Sequence, residues 1–593
     1  MHVHHILNVA ILVFAKRQPL QEARCVSRKI DTDTLNELKK NISDSNSIYD
    51  ILAAAYKAFS SGDTGYVSKK DGYDRNNYRD LIDQINNFHE EMAEAKSDER
   101  EINAFNVIKD YIYSFSWLFL KGAKTSEGAV EKETTYLDLY ALIHNLDILH
   151  PYITPQRGIL IDRSNPLIEF SSLNAHLDQI LIIPRINAHV YKQMGGASEK
   201  TIKRLYDRSD AGSSDSINYI LENYDILNIN KGDYLPHVHR FNRIYAYDID
   251  NRLRAKENCI RVGLFPLWGG NIRDVLYIKE SDESFWIDED ATTDDMKVVR
   301  SELKERYIKA LDRCKDMNVD IVVFPEMLMT RTILNEVESY IENCAPYDLP
   351  LLMIMGSIWE KDRENSQSDS NAGQNVSVVF SSYGQKIFEQ HKKIPFDYRN
   401  KKETSQNSDA SESRRGHQEL LSQRDKKIHI IDIGGFGRIF TLICRDVLNS
   451  TLITLLKDLR ADMVLVPMFS PSINMLDELE SLTKVHLATE FLCNSCSALC
   501  EDDAQWFVVN VDNDGWTDEY KDKLGGVFTP EKENGKQTTV CYSPICFSES
   551  CEKCQSEECL GSVFDIKYNE YSTPKGNGAL YNDRTDVAQK ENI

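Results

Sequence analysis

From residue 259 onward the chain alternates short apolar runs with stretches whose apolar positions recur at helical spacing. Ile260, Val262 and Leu264 alternate through Ile260-Arg261-Val262-Gly263-Leu264-Phe265-Pro266, the period-two pattern of a strand. Across residues 293–318, Met296, Val299, Leu303, Tyr307, Leu311 and Cys314 recur at three- to four-residue steps, which predicts one apolar helix face. Val322-Val323-Phe324-Pro325-Glu326 and residues 351–356 read as further buried strands. Val376-Ser377-Val378-Val379-Phe380 followed by Tyr383-Gly384-Gln385-Lys386-Ile387 reads as a hairpin. An alternating apolar strand over residues 431–443 runs straight into Cys444, and residues 461–467, 507–510 and 561–566 supply later strands. Strands interleaved with amphipathic helices predict an α/β class.

Three of these segments end in chemistry. Cys444 closes an apolar strand, where a backbone turn can aim amides at whatever the sulfur attacks. Glu326 closes a second strand, and Lys392 and Lys393 follow a third in Gln390-His391-Lys392-Lys393-Ile394-Pro395-Phe396. A thiol, a carboxylate and an ammonium together make a nucleophile with a base and a charge partner. A free thiol has a pKa of about 8.5, and a carboxylate alone beside it raises that value. A cation in the same site offsets the rise.

These motifs, in this order, resemble the nitrilase (carbon–nitrogen hydrolase) superfamily over residues 259–568. The resemblance implies a four-layer αββα sandwich; the region before it reads as mainly α-helical from its own apolar spacing. It implies an enzyme that cleaves a non-peptide C–N bond of a small amide, nitrile or N-carbamoyl compound through an acyl-enzyme. Carried over, Cys444 is the nucleophile, Glu326 the base and the Arg445 N–H an oxyanion donor. The family's spacing favours Lys393 over Lys392 as the catalytic lysine. An auxiliary carboxylate is expected between the lysine and the cysteine. Asp397, Glu403, Glu412 and Glu419 are the candidates, and Glu419 is the preferred one. Arg445 stands where the family often has an aromatic residue. Its side chain fits an anionic substrate or a salt bridge to Asp446. No cofactor is implied for the chemistry, and a homo-oligomer is implied. Acyl transfer to an amine is the other direction open to the same residues. The alternative from a different class is a non-catalytic ligand-binding sensor on the same scaffold.

The 593 residues carry a formal net charge of −23, which argues against nucleic-acid or anionic-membrane partners. No apolar run reaches 18 residues, and the apolar segment 6–15 reads as a buried element of a cytoplasmic protein, with a signal peptide as the other reading. Of the 13 cysteines, eight fall between Cys493 and Cys559, a density that suits a reducing compartment with a reactive thiol. Cys546, Cys551, Cys554 and Cys559 bracket a C-x-x-C knuckle and could hold a structural zinc; disulfides and unligated thiols are the other readings. Cys493, Cys496 and Cys500 have helical spacing and read as core packing. Residues 363–374 and 400–418 are too polar to pack a core and read as insertions on the pocket side.

Residues 1–257 do not share the resemblance. Segments 33–58, 76–94, 99–121 and 135–149 have helical apolar spacing, and the charged stretch 251–258 marks the boundary. A recognition, regulatory or oligomerisation role is the default expectation for this half.

Overall fold

A computed structural model of the chain describes residues 32–44, 48–60, 167–170, 180–184, 224–228, 234–241, 259–267, 270–281, 284–288, 291–361, 372–398, 417–422, 425–433, 437–459, 461–470, 488–495, 525–533, 536–544, 561–567 and 590–592, together with residues 143, 252 and 483. They fall into two compact units. The first contains helices α1 (Thr32–Asp44) and α2 (Ile48–Ser60) and, further along, a pair of strands. The segment read as one helical stretch over 33–58 is therefore two helices. Strand β1 (Leu167–Phe170) belongs to the second unit, and β2 (Ile180–Pro184) pairs antiparallel with β3 (Tyr224–Asn228) in the first.

The second unit continues with β4 (Leu235–Phe241), β5 (Cys259–Leu264), the short helix α3 (Ile272–Val275), β6 (Ile278–Glu280), β7 (Ser284–Ile287) and the long helix α4 (Asp294–Asp316). Strand β8 (Ile321–Val323), helix α5 (Arg331–Asn343), β9 (Leu352–Ile354), β10 (Ile358–Lys361), β11 (Gly373–Ser381) and β12 (Lys386–His391) follow. Next come β13 (Asp397–Tyr398), β14 (His417–Glu419), β15 (Lys427–Ile433), β16 (Gly437–Thr441), helix α6 (Ser450–Asp458), β17 (Met463–Met468) and β18 (Thr489–Asn494). The chain closes with β19 (Gly525–Glu533), β20 (Lys536–Pro544), β21 (Ser562–Lys567) and β22 (Lys590–Asn592).

Two large sheets form among the described residues. One has the order β1-β4-β15-β16-β17-β18-β19-β20 and the other β10-β11-β9-β8-β5-β21-β22, with β12 pairing β11. Strands β5, β8 and β9 run parallel, and α4 and α5 make the crossovers between them. The helices start where their sequences say they should. The Thr293 hydroxyl accepts from the Met296 N–H, the Thr330 hydroxyl from the Ile333 N–H, and the Asn449 side chain from the Thr451 and Leu452 N–H groups. Asp294 and Asp295 open α4, and Arg313 and Lys315 close it, each favourable to the helix dipole.

Strand alternation sends side chains into two cores. Ile260, Val262, Leu264, Ile321, Val323 and Ile354 of one sheet meet Ile431, Ile439, Met463, Leu465 and Phe491 of the other. On its opposite face the second sheet presents Val322, Met353, Val378 and Phe380 to Leu303, Tyr307 and Leu311 of α4 and to Ile333 and Val337 of α5. Strands buried on both faces, such as Ile321–Val323 and Met463–Met468, therefore read as continuous apolar runs. The architecture is mixed α/β.

Three expectations change. The stretch running into Cys444 is not one strand: β15 ends at Ile433, and β16 pairs back on it antiparallel, Ile431 against Ile439. Cys493 lies on β18, buried, and not on a helix, because Phe491 and Cys493 alternate into the inter-sheet core. Residues 373–374 and 417–418 open β11 and β14, so the polar insertions end earlier than their composition suggests. The segments at 6–15, 76–94 and 99–121, strand 507–510, and Cys546, Cys551, Cys554 and Cys559 lie outside the described residues, as do Cys496, Cys500, Glu403 and Glu412. No helix among the described residues is long and apolar enough to cross a membrane.

Candidate active site

The carboxyl ends of β8, β9, β16 and β17 converge. The Glu326 N–H donates to the Met468 carbonyl at 3.1 Å, which stitches the end of β8 to the end of β17. Gly356, just after β9, packs against the same end of β8. It sits at φ +76°, and a β-carbon there would lie 2.1 Å from the Pro325 carbonyl oxygen. The Met327 N–H then donates to the Ser357 hydroxyl at 3.1 Å. Both the residue after the glutamate and the cysteine itself occupy the left-handed region, Met327 at φ 62° and Cys444 at φ 48°. Such backbone costs about 1–3 kcal/mol per residue and persists where surrounding structure enforces it, commonly at active sites.

Cys444 opens a single tight turn, Cys444–Leu448, directly before α6. Its thiol is buried and points at the Phe469 carbonyl, 3.9 Å away. The Glu326 carboxylate lies near enough to act on its ionisation. Glu326 Oε1 accepts from Lys392 Nζ at 2.7 Å, and Glu419 Oε2 accepts from the same ammonium at 2.8 Å. Asn375 Nδ2 bridges the two carboxylates, 2.9 Å from Glu326 Oε1 and 3.0 Å from Glu419 Oε1. All five side chains lie inside the protein. The result is a buried ladder: thiol, carboxylate, ammonium, carboxylate.

The electrostatics follow from this packing. Burial pushes the Cys444 thiol far up, and the Glu326 charge pushes it further, while Lys392 pulls the other way without winning. The sulfur therefore rests as a thiol. Burial also raises the Glu326 carboxyl, against the pull of Lys392, and Glu419 adds to the rise. Desolvation alone would discharge Lys392, but the Glu326 and Glu419 carboxylates outweigh it and hold the ammonium charged.

The lysine in the site is Lys392. Lys393, which the family spacing favours, turns its Nζ away to the Asp425 carbonyl at 2.8 Å, because consecutive residues of extended backbone face opposite sides. Glu419 is the carboxylate brought to the lysine, as preferred, and it further accepts from the Phe396 N–H at 2.9 Å. Arg445 is half-buried with its guanidinium toward the Pro395 carbonyl at 3.4 Å. Asp446 instead takes backbone donors: Oδ1 accepts from the Lys393 and Ile394 N–H groups, each at 2.8 Å. That pins the segment after Lys392 to the turn that carries Cys444.

Three supporting residues escaped the sequence reading. Asn375 stands on β11 with Gln374 and Ser377, so its polarity alone does not mark it. From sequence alone Asp446 is only a partner for Arg445. Asn494 pairs with the Ser470 backbone like a peptide, Oδ1 accepting from Ser470 N–H at 3.0 Å and Nδ2 donating to its carbonyl at 2.6 Å. It steadies the strand end whose Phe469 carbonyl faces the sulfur.

No family model and no curated protein matches the chain. Among solved structures it is similar over about half its length to members of the nitrilase superfamily. Nit3 of Saccharomyces cerevisiae, a member of branch 10 of that superfamily, is 16% identical, with a TM-score of 0.26 over 50% of this chain and 92% of its own. An amidase from Nesterenkonia sp. is 10% identical, with a TM-score of 0.28 over 48% of this chain and 90% of its own. A glutamine-dependent NAD+ synthetase from Acinetobacter baumannii is 14% identical, with a TM-score of 0.29 over 55% of this chain and 49% of its own.

Proposed function

We propose that the chain is a thiol hydrolase that cleaves a non-peptide C–N bond of a small amide, nitrile or N-carbamoyl compound. The reading includes the αββα layering that the sequence resemblance implies. The observation that carries it is the burial of Cys444, Glu326 and Lys392 together, with Lys392 Nζ 2.7 Å from Glu326 Oε1.

The chemistry derives from the resting protonation. Cys444 holds its proton until a substrate carbon arrives, and Glu326 accepts that proton as sulfur attacks. The raised carboxyl makes Glu326 a stronger base than an exposed glutamate. Negative charge then grows on the substrate oxygen or nitrogen. Lys392 is the side-chain donor for it, and the Arg445 N–H is the backbone donor, standing at the start of a helical turn where no internal acceptor exists. The protonated Glu326 returns its proton to the departing amine. It then takes one from the water that cleaves the acyl-enzyme, which restores the thiol. Glu419 and Asn375 hold Lys392 and Glu326 in register and do not touch the reacting atoms.

The test is intact-mass analysis after incubation with a panel of small amides, nitriles and N-carbamoyl compounds, comparing the native chain with Cys444→Ala. A Cys444-dependent acyl adduct, or product released only by the native chain, is the expected result. Ligand-induced thermal stabilisation without adduct or product across the panel would overturn it in favour of a non-catalytic sensor.

A further inference from the structure

A second cluster lies away from this chemistry. His237 and His239 stand two residues apart on β4 and so share a face, and β4 pairs in parallel with β15, placing His237 opposite His429. All three imidazoles are buried, at 7%, 4% and 7% exposure. One ring nitrogen from each lies within 4.8 Å of the others. The His239 Nε2 to His429 Nδ1 separation is 2.8 Å. Phe388 of β12 walls the cluster, its ring 4.6 Å from the His429 ring at 5° and 4.9 Å from the His239 ring. Gln390 of the same strand accepts from the His429 N–H at 2.9 Å.

We propose that His237, His239 and His429 form a transition-metal site of the zinc class, clamping β4 to β15 beneath the strand that delivers Lys392. Three neutral imidazoles converging on one point are the donor set that borderline divalent ions take, and neither strand offers a carboxylate or thiol to the point where they meet. Without metal, His239 and His429 share a proton across 2.8 Å. Coordination moves that proton to the far nitrogen of the same ring, a tautomer change with no net protonation. The two nitrogens then part to about 3.3 Å, the edge of a tetrahedron with metal–nitrogen bonds of about 2.0 Å. The proposal is independent of the reaction assigned to Cys444.

The test is a titration of the metal-stripped full chain with Co²⁺ under reducing conditions, followed by absorbance, with Tm measured in parallel. One equivalent with weak visible bands and no sulfur-to-cobalt charge transfer is expected, together with a rise in Tm. His237→Asn should weaken that binding by more than about 100-fold, since losing an outer-shell partner alone costs about 10–100-fold. It leaves the His239–His429 contact in place. Three outcomes would overturn the site: no cobalt bound, a thiolate spectrum alone (which would point to the distal cysteines), or nitrogen-only bands unchanged in His237→Asn. The first two are read on the unmutated chain and do not depend on the variant folding.

Discussion

Lys392 and Lys393 differ by one position and by everything that matters to the site. Lys392 ends between two carboxylates, and Lys393 ends on a backbone carbonyl. Lys392→Met is expected to lower kcat by about 10²–10³-fold, the usual effect of removing one oxyanion donor, while Lys393→Met keeps turnover near wild type; steady-state rates on folded protein decide it. Glu326→Gln removes the base and should cost about 10²–10⁴-fold. Asp446 offers a prediction in pH. Its carboxyl is pushed up to about 7, chiefly by burial, with the Ile394 and Lys393 N–H groups opposing. In the unfolded chain it ionises near its ordinary value of 3.8. Between those values the folded state holds more protons, so this group's contribution to stability falls as pH rises from about 4 to about 7, by at most about 1.4 kcal/mol per unit. Asp446→Asn keeps an acceptor oxygen and removes the ionisation. The difference in unfolding free energy between variant and native chain should therefore move in the variant's favour across that range, measured by denaturant titration at each pH. A difference independent of pH would refute the buried acid.

At the scale of elements, strand ends do the positioning. The glutamate follows β8, the thiol follows β16, and the lysine follows β12. The Glu326 N–H is bonded to the Met468 carbonyl at the end of β17, and the Lys392 N–H to the Asn375 carbonyl of β11. Gly356 is where this is most exposed to change. Gly356→Ala combines a positive φ with a β-carbon 2.1 Å from the Pro325 carbonyl. The φ alone costs about 1–3 kcal/mol, and the clash must displace Pro325 and with it Glu326. Stability and kcat should fall together, read by chemical unfolding and by rate; loss of stability with unaltered turnover would show that Glu326 is not carried by this contact. The same scale explains why one expected strand became two. Residues 431–433 and 437–441 have the same alternation, and periodicity alone cannot separate two antiparallel strands from one long one.

For the molecule as a whole, the inter-sheet core and the charge make separate predictions. Phe491 lies wholly buried between the sheets, so Phe491→Ala should destabilise by about 3–5 kcal/mol, seen in the denaturant midpoint. With a net charge of −23 the chain's overall field repels phosphate backbones. Duplex DNA should keep its electrophoretic mobility in the presence of the protein at physiological ionic strength, and retardation would reveal a local basic surface.

The sequence by itself determined the α/β class of the C-terminal part, the apolar face of α4, most core strands, and the order in which Glu326, the lysine pair and Cys444 occur. Those features are local: periodicity, caps and strand-end position are written in neighbouring residues. It also singled out Glu419 among the acidic candidates. The choice between Lys392 and Lys393 was not local, because adjacent residues on extended backbone differ only in which side meets the rest of the protein. Asn375, Asp446 and Asn494 were illegible for the same reason: each bonds to a backbone or side chain 24 or more residues away, apart from contacts within its own turn. The three histidines were equally silent. Some 190 residues separate His239 from His429 along the chain, and only the parallel pairing of β4 with β15 brings their nitrogens together.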